Sequence, residues 1–317
     1  MISHTKMIQK KQSTDYVNYI ISLKYPKKLL KTLSDKHNLN PILSNGIDGK
    51  KCSDDTIKRH FTTFYRFFGP KSSIGCSLSH VNVWKTFLKT DKKYAIIFED
   101  DIILDDITYN LAEVIPFYVE QTPKDFDVLY LGSLGSDNTP NFFTISMSLL
   151  NMSAEYKDIN DYVKQPNVAL ATHAYVISKS GAEKLVKNLD GNIHNHIDYC
   201  IQHLYSKRIL NNYITKPRLL YQSSTDSNVS NNVSNTHPII INKILSNFYV
   251  DDHVRSSYIT TLSVFRIGSF NITISSLILI AAVVLYITIS GQRNYNTLIL
   301  FLILLSLPDI FLNYSSI

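Results

Sequence analysis

Tyr94-Ala95-Ile96-Ile97-Phe98-Glu99-Asp100-Asp101 points to an α/β protein. An unbroken apolar run ends abruptly in three acids. Continuous apolarity over strand length is expected of a strand buried on both faces, as in a parallel sheet covered by helices. Acids at the carboxyl end of such a strand face the crevice where α/β sheets bind ligands. Three adjacent carboxylates repel one another, and a divalent cation offsets that repulsion. Hard oxygen ligands select Mn²⁺ or Mg²⁺. The acid-x-acid spacing lets Glu99 and Asp101 point the same way, which makes them the candidate metal ligands. A metal so placed commonly bridges the phosphates of a nucleotide substrate, and Asp100 is assigned to that donor side. The competing reading is a solvated acidic turn that binds nothing.

Working outward, Val17–Leu23 is a β-rich apolar run closed by Lys24-Tyr25-Pro26. Pro26 opens a helix with Leu29, Leu30, Leu33 and His37 at helical spacing. Pro41–Leu43 is a short strand, and Asn45–Gly49 a loop with two glycines. Strand, helix, strand and turn together read as a βαβ unit. Helices are expected from about Ser77 to Thr90, over Tyr109–Gln121 and over Ile197–Ser206. A further helix runs to Leu189, started by the capping-box spacing of Ser180-Gly181-Ala182-Glu183. Strands are expected at Phe126–Leu131, Thr172–Ile177 and Asn212–Lys216. Residues 133–166 read as an irregular insertion and 223–237 as an Asn/Ser-rich loop.

Ser72-Ser73-Ile74-Gly75-Cys76-Ser77-Leu78-Ser79-His80 leads towards Trp84. Gly75 permits a close backbone approach, and a helix beginning behind it offers a positive end to phosphate. Ser79 and His80 are expected to project from that first turn. Trp84 falls in the apolar stripe with Leu78, Val81 and Leu88, so it reads as core.

Charge divides the chain. Lys+Arg number 32 and Asp+Glu 26, giving +6, yet residues 267–317 hold only Arg293 and Asp309. The mean hydropathy of −0.04 therefore averages two unlike parts. Ile272–Ser290 is uncharged and mostly apolar, at roughly 28 Å as a helix enough for a membrane span. Thr297–Leu307 is a second run, interrupted by Pro308 and Asp309. The expected organisation is a basic arm over 1–14, a catalytic domain over 15–230, a connector over 231–266 and a membrane anchor over 267–317. The anchor is either a hairpin of two spans or a single span. Arg255 and Arg266 flank it, and the amino terminus shows no signal-peptide run, so the body is placed on the cytosolic side. Basic residues are scattered and form no stripe, which argues against nucleic acid as a partner. Cys52, Cys76 and Cys200 contain no C-x-x-C pair, so neither a disulfide framework nor a structural zinc site follows.

Several motifs, taken in order, resemble glycosyltransferase family 25, the lipooligosaccharide and procollagen galactosyltransferase group. They are VNYIISLKYPKKL, LSNGIDGK, IGCSLSHVNVW, YAIIFEDD, THAYVISKSGAEKLV, HIDYCIQ and PRLLYQSSTDSNVS. The resemblance covers roughly Val17–Ser230 and leaves out the tail. It implies a GT-A-like, Rossmann-like fold with a mostly parallel sheet. It also implies a UDP-sugar donor (typically galactose, sometimes glucose) and Mn²⁺-dependent transfer with inversion to a glycan, glycolipid or protein hydroxyl. Glu99 and Asp101 would take the family's metal-motif role. Inversion needs a base on the acceptor side, and Asp198 is the candidate, with His196 and His194 as alternatives. A helix-capping Asp is an equally ordinary reading of Asp198. Ser22 and Leu23, at the end of the first strand, are expected to border the nucleotide, and Asp48 the nucleoside. Thr172 and His173 open a strand and are expected to line the acceptor side, and Cys76 to serve packing. A metal-dependent nucleotide-sugar or phosphoester hydrolase using the same acids is a competing reading. So is a non-catalytic, membrane-tethered binding protein.

Overall fold

The computed structural model describes residues 15–105, 107–134, 142–223, 263–268 and 270–290. The expected arm over 1–14, most of the Asn/Ser-rich loop and the second apolar run lie outside these residues. The first unit is β1 (Tyr16–Ser22), α1 (Lys27–His37) and β2 (Ile42–Asn45). The helices α2 (Asp54–His60), α3 (Thr63–Phe68) and α4 (Lys71–Leu88) lead to β3 (Tyr94–Glu99) and β4 (Ile102–Ile103). Next come α5 (Leu111–Gln121), β5 (Val128–Leu134), α6 (Phe142–Leu149), β6 (Lys157–Asp158) and β7 (Val163–Gln165). The body closes with β8 (Leu170–Ser178), α7 (Lys179–Leu189), α8 (Ile197–Ser206), β9 (Asn212–Thr215) and β10 (Tyr221–Gln222). The remaining described elements are β11 (Ser263–Ile267), β12 (Phe270–Thr273) and α9 (Ile274–Ser290).

Eight strands form one sheet in the order β2-β1-β3-β8-β5-β9-β7-β6. β2, β1 and β3 are mutually parallel, as are β5 and β9, while β8 is antiparallel to both β3 and β5. The sheet is therefore largely parallel, with β8 and β7 reversed. Successive residues of β1 and β3 alternate between two cores. Tyr19, Ile21, Ala95 and Ile97 pack on the side of α4, α7 and α8, and Ile20, Ile96 and Phe98 on the side of α1 and α5. Burial on both faces explains why β3 reads as an unbroken apolar run.

Three expectations change. Residues 142–165 are not irregular: they form α6, β6 and β7, and the two strands extend the main sheet. Short strands of two and three residues leave too little periodicity to read. The cap of α7 is Ser178, whose Oγ accepts the Gly181 amide at 3.1 Å, two residues before the expected capping box. The expected 19-residue span is not one helix. Ile272 and Thr273 belong to β12, and α9 has 17 residues. Among the described residues, no helix is long and apolar enough to cross a membrane. β11 itself runs across the boundary expected at 266/267. It is held to the body by Arg266, which donates to the carbonyls of Gly69 (2.9 Å) and Arg66 (3.1 Å).

Candidate active site

The register places Glu99 beside Ile21, and Asn45 beside Ser22. The carboxyl ends of β2, β1 and β3 thus form one edge. Because β8 runs the other way, its first residues, Leu170 to Thr172, arrive at that same edge. Two cavities open there.

The first cavity, about 200 Å³, lies over the ends of β1 and β2 and is mostly polar. Ser22, Leu23, Asp48, Ser79, His80 and Asp100 all line it, together with Glu99 and Asp101. Ser22 Oγ lies against the Asp100 carboxylate and receives the Lys24 amide at 3.2 Å. Asp48 Oδ1 accepts the Lys50 amide at 3.0 Å, which shapes the loop. α4 begins at Lys71 rather than Ser77, so Ser79 and His80 sit in its middle, and Ser72 brings its amino-terminal end to the cavity. Gly75 does not face a ligand. A Cβ there would lie 2.2 Å from the Ile47 carbonyl oxygen and 2.7 Å from the Gly49 nitrogen. Its missing side chain lets the Asn45–Gly49 loop pack on α4, and Ser79 Oγ completes the joint by accepting the Ile47 amide at 2.8 Å.

Glu99 is held from behind by a chain of hydrogen bonds. Trp84 Nε1 donates to the Tyr175 hydroxyl at 2.8 Å, and that hydroxyl lies 2.9 Å from His80 Nδ1. An ionised carboxylate can only accept, so the His80 nitrogen facing Glu99 is a donor, and Nδ1 is left to the Tyr175 hydroxyl. His80 Nε2 then carries hydrogen and donates to Glu99 Oε1 at 3.2 Å. The Thr172 hydroxyl donates to the same oxygen at 2.7 Å, leaving Oε2 for the cleft. Burial pushes the Glu99 carboxyl up, but the hydrogen bonds from His80 and Thr172 outweigh it and hold it below its ordinary value. Asp101 goes the other way. Burial, and then the adjacent Glu99 charge, push it up to about 8. Its Oδ2 accepts Gln222 Nε2 at 2.6 Å, while its buried Oδ1 has no partner among the described residues. Two neighbouring carboxyls pushed apart in this way share one proton at neutral pH.

An orphaned buried oxygen beside an ionised carboxylate suits a hard cation, and Mn²⁺ or Mg²⁺ fits Glu99 and Asp101 on this ground. Cys76 Sγ, a His80 ring nitrogen and a Glu99 oxygen also lie within 4.8 Å of one another. Burial holds the Cys76 thiol well above its ordinary value, and therefore protonated, which makes it a poor ligand for such an ion.

The second cavity, about 340 Å³, shares Cys76, Glu99 and Gln222 with the first and is mostly apolar. Thr172, His196 and Asp198 line it. Asp198 lies in the first turn of α8, where the helix end favours an anion. Its Oδ1 accepts the Tyr199 amide at 2.8 Å and its Oδ2 the Ala171 amide at 3.3 Å. Ala171 has φ +71°, a left-handed conformation that costs energy in an alanine and turns its amide to Asp198. His173 does not line the cleft. It is buried beside Gly132, with Nε2 3.5 Å from the Leu220 carbonyl, and burial pushes it down to about 4. Alternation along β8 turns it from the face that Thr172 occupies. His194 lines neither cavity and contacts the Asn192 carbonyl at 3.3 Å.

Gln222, Tyr175 and Ala171 are not among the expected site residues, and Cys76 is expected to serve packing alone. Gln222 lies within the PRLLYQSSTDSNVS motif. Tyr175 lies within THAYVISKSGAEKLV and Cys76 within IGCSLSHVNVW, while Ala171 carries no signal short of the fold. Val264, Ile274 and Leu277, from the expected connector and anchor, also line the second cavity.

The model of glycosyltransferase family 25 (LPS biosynthesis protein) matches residues 15–201. Over 102 residues the chain is 32% identical to a Haemophilus influenzae protein named "Putative glycosyltransferase", covering 31% of this chain and 36% of that one. It is 23% identical over 180 residues to procollagen galactosyltransferase 2 of Homo sapiens, covering 53% of this chain and 27% of the human protein. The chain thus spans about a third of the length of these curated relatives. Among solved structures, a crystal structure of a protein from STIV aligns over 66% of this chain and 94% of its own, at TM-score 0.32 and 11% identity. The family match takes in more than half of the chain and nearly every residue that lines the two cavities within the body. The chain belongs to glycosyltransferase family 25.

Proposed function

We propose that the protein transfers a hexose, galactose or glucose, from a UDP-sugar to an acceptor hydroxyl with inversion, on a GT-A-like fold. The observation that carries this reading is the pair of cavities meeting at Glu99, one polar and one apolar. A hydrolase needs room only for water beside its donor. A transferase needs a second site, and here that site contains a carboxylate.

In this reading the donor lies in the first cavity, along Ser22, Leu23 and Asp48. Glu99 and Asp101 would hold Mn²⁺ or Mg²⁺, which would supply Lewis-acid stabilisation of the departing diphosphate. The Trp84–Tyr175–His80 chain keeps Glu99 ionised and oriented. Asp198 takes the proton of the acceptor hydroxyl as that oxygen attacks, and His196 is the alternative base. The chain is associated with a membrane through its apolar carboxyl-terminal segment, with the body on the cytosolic side.

Thermal-shift measurements on the full chain with UDP-galactose and UDP-glucose, with and without Mn²⁺, test the donor assignment. The expected result is a melting point raised by the sugar nucleotide and raised further with Mn²⁺. Release of free sugar alone, undiminished by removal of acceptors, would support a hydrolase instead. No shift with any nucleotide sugar would sink the reading.

A further inference from the structure

We infer that α9 and the apolar rim of the second cavity form a docking face for a lipid surface, so that the body rests on the bilayer and this cavity opens at it. The inference rests on the membrane association proposed above, and adds which face of the body meets the lipid.

The rim is apolar and open to solvent. Leu150, just after α6, and Leu277 of α9 both line the cavity, yet are 65% and 37% exposed. From there α9 leads away carrying Ile280, Val284 and Leu285, which are 53%, 56% and 60% exposed. Leu277, Ile280, Val284 and Leu285 follow the spacing of a single helical stripe. Ile278, seven residues before Leu285 and on the same face as it, is also 38% exposed, and no residue of α9 is charged. Exposed apolar surface costs about 25 cal/mol per Å², and a continuous patch of it marks an interaction site.

Three observations select lipid over a protein partner. First, the chain continues from Ser290 into residues 291–317, which hold only Arg293 and Asp309 as charges and include the run Thr297–Leu307. Whatever covers α9 must suit that sequence as well. Second, α9 is apolar on more than one side, whereas a helix seated in a protein groove keeps a polar outer face. Third, the net charge of +6 lies wholly before residue 267, so the body is drawn to an anionic surface. α3 extends the same region. Arg266 joins it to β11, and its Phe64 and Phe67 are 65% and 64% exposed, aromatic side chains of the type enriched at headgroup level. α9 enters the apolar layer, and the cavity rim meets the interface.

Trp84 is the sole tryptophan and is fully buried, so an added tryptophan reports on its own position. Leu150→Trp and Val284→Trp are made separately in the full chain. Each is mixed with vesicles of phosphatidylcholine and phosphatidylglycerol carrying brominated acyl chains. Emission from both positions is expected to shift to the blue and to be quenched, with native Trp84 emission unchanged. Leu285→Asp should weaken partitioning on the order of tenfold or more. Quenching at 284 without quenching at 150 would mean a tethered body held away from the bilayer, and would overturn the proposal. Absence of quenching at both positions would overturn it as well, and dimerisation through the same residues would identify a second copy as the occupant. None of these readouts needs turnover. A nucleotide-sugar thermal shift that persists without quenching would therefore sink the docking face alone.

Discussion

Asp101→Asn isolates the electrostatics of the acidic strand end. An unfolded aspartate ionises near 3.9, whereas burial and the Glu99 charge place folded Asp101 at about 8. Between these values the native state keeps a proton that the unfolded state has lost. Unfolding free energy therefore falls as pH rises through that window. Each pH step costs up to about 1.4 kcal/mol, so going from about pH 5 to about pH 7 removes between about 1 and 3 kcal/mol. The lower figure applies where water reaches the part-exposed carboxyl. Asparagine cannot ionise, and its oxygen can still accept the Gln222 amide that now bonds Asp101 Oδ2. Urea unfolding of both proteins, followed by circular dichroism in chelator at several pH values, measures the difference. Other titrating groups cancel in that difference. The variant should gain on the parent steadily as pH rises, and Mn²⁺ should restore the parent by replacing the shared proton. Parallel stability curves would refute the account of the Glu99–Asp101 pair.

Asp198→Asn keeps a shape that can accept the Ala171 amide but removes the base. Turnover should fall by about 10²-fold or more with the donor-induced thermal shift intact, and unchanged turnover would move the base to His196. Tyr175→Phe leaves Trp84 Nε1 and His80 Nδ1 without their buried partner. Stability should drop by about 1–3 kcal/mol in urea titration, and a neutral result would show the chain behind Glu99 to be dispensable. Gly75→Ala drives a Cβ into the Ile47 carbonyl, a backbone group that cannot rotate away. A loss of about 1–3 kcal/mol is expected, with a weaker nucleotide-sugar thermal shift as the Asn45–Gly49 loop is displaced, and a stability equal to the parent's would disprove that joint.

Elements with a strong local signature are legible in the residues alone. β1, β3, α1 and α8 follow from runs and periodicities within each segment, since burial on one or both faces imprints itself on nearby residues. The acids at the end of β3 mark the crevice for the same reason. Other features depend on which distant segments meet, and local pattern does not carry that information. The reversal of β8 is one: it delivers Thr172 to Glu99 and turns His173 into the core. Gln222 reaches Asp101 across 121 residues of chain, and Gly75 is explained only by the loop pressed against it.

Charge and apolarity are properties of each residue, so the residues alone tell of a largely uncharged tail after a charged α/β body whose chemistry gathers at the end of one strand. That β11 and α9 fold back so that Val264, Ile274 and Leu277 complete the second cavity emerges with the three-dimensional packing. Apolar residues satisfy the hydrophobic effect equally well against lipid or protein, so composition leaves open which surface they cover.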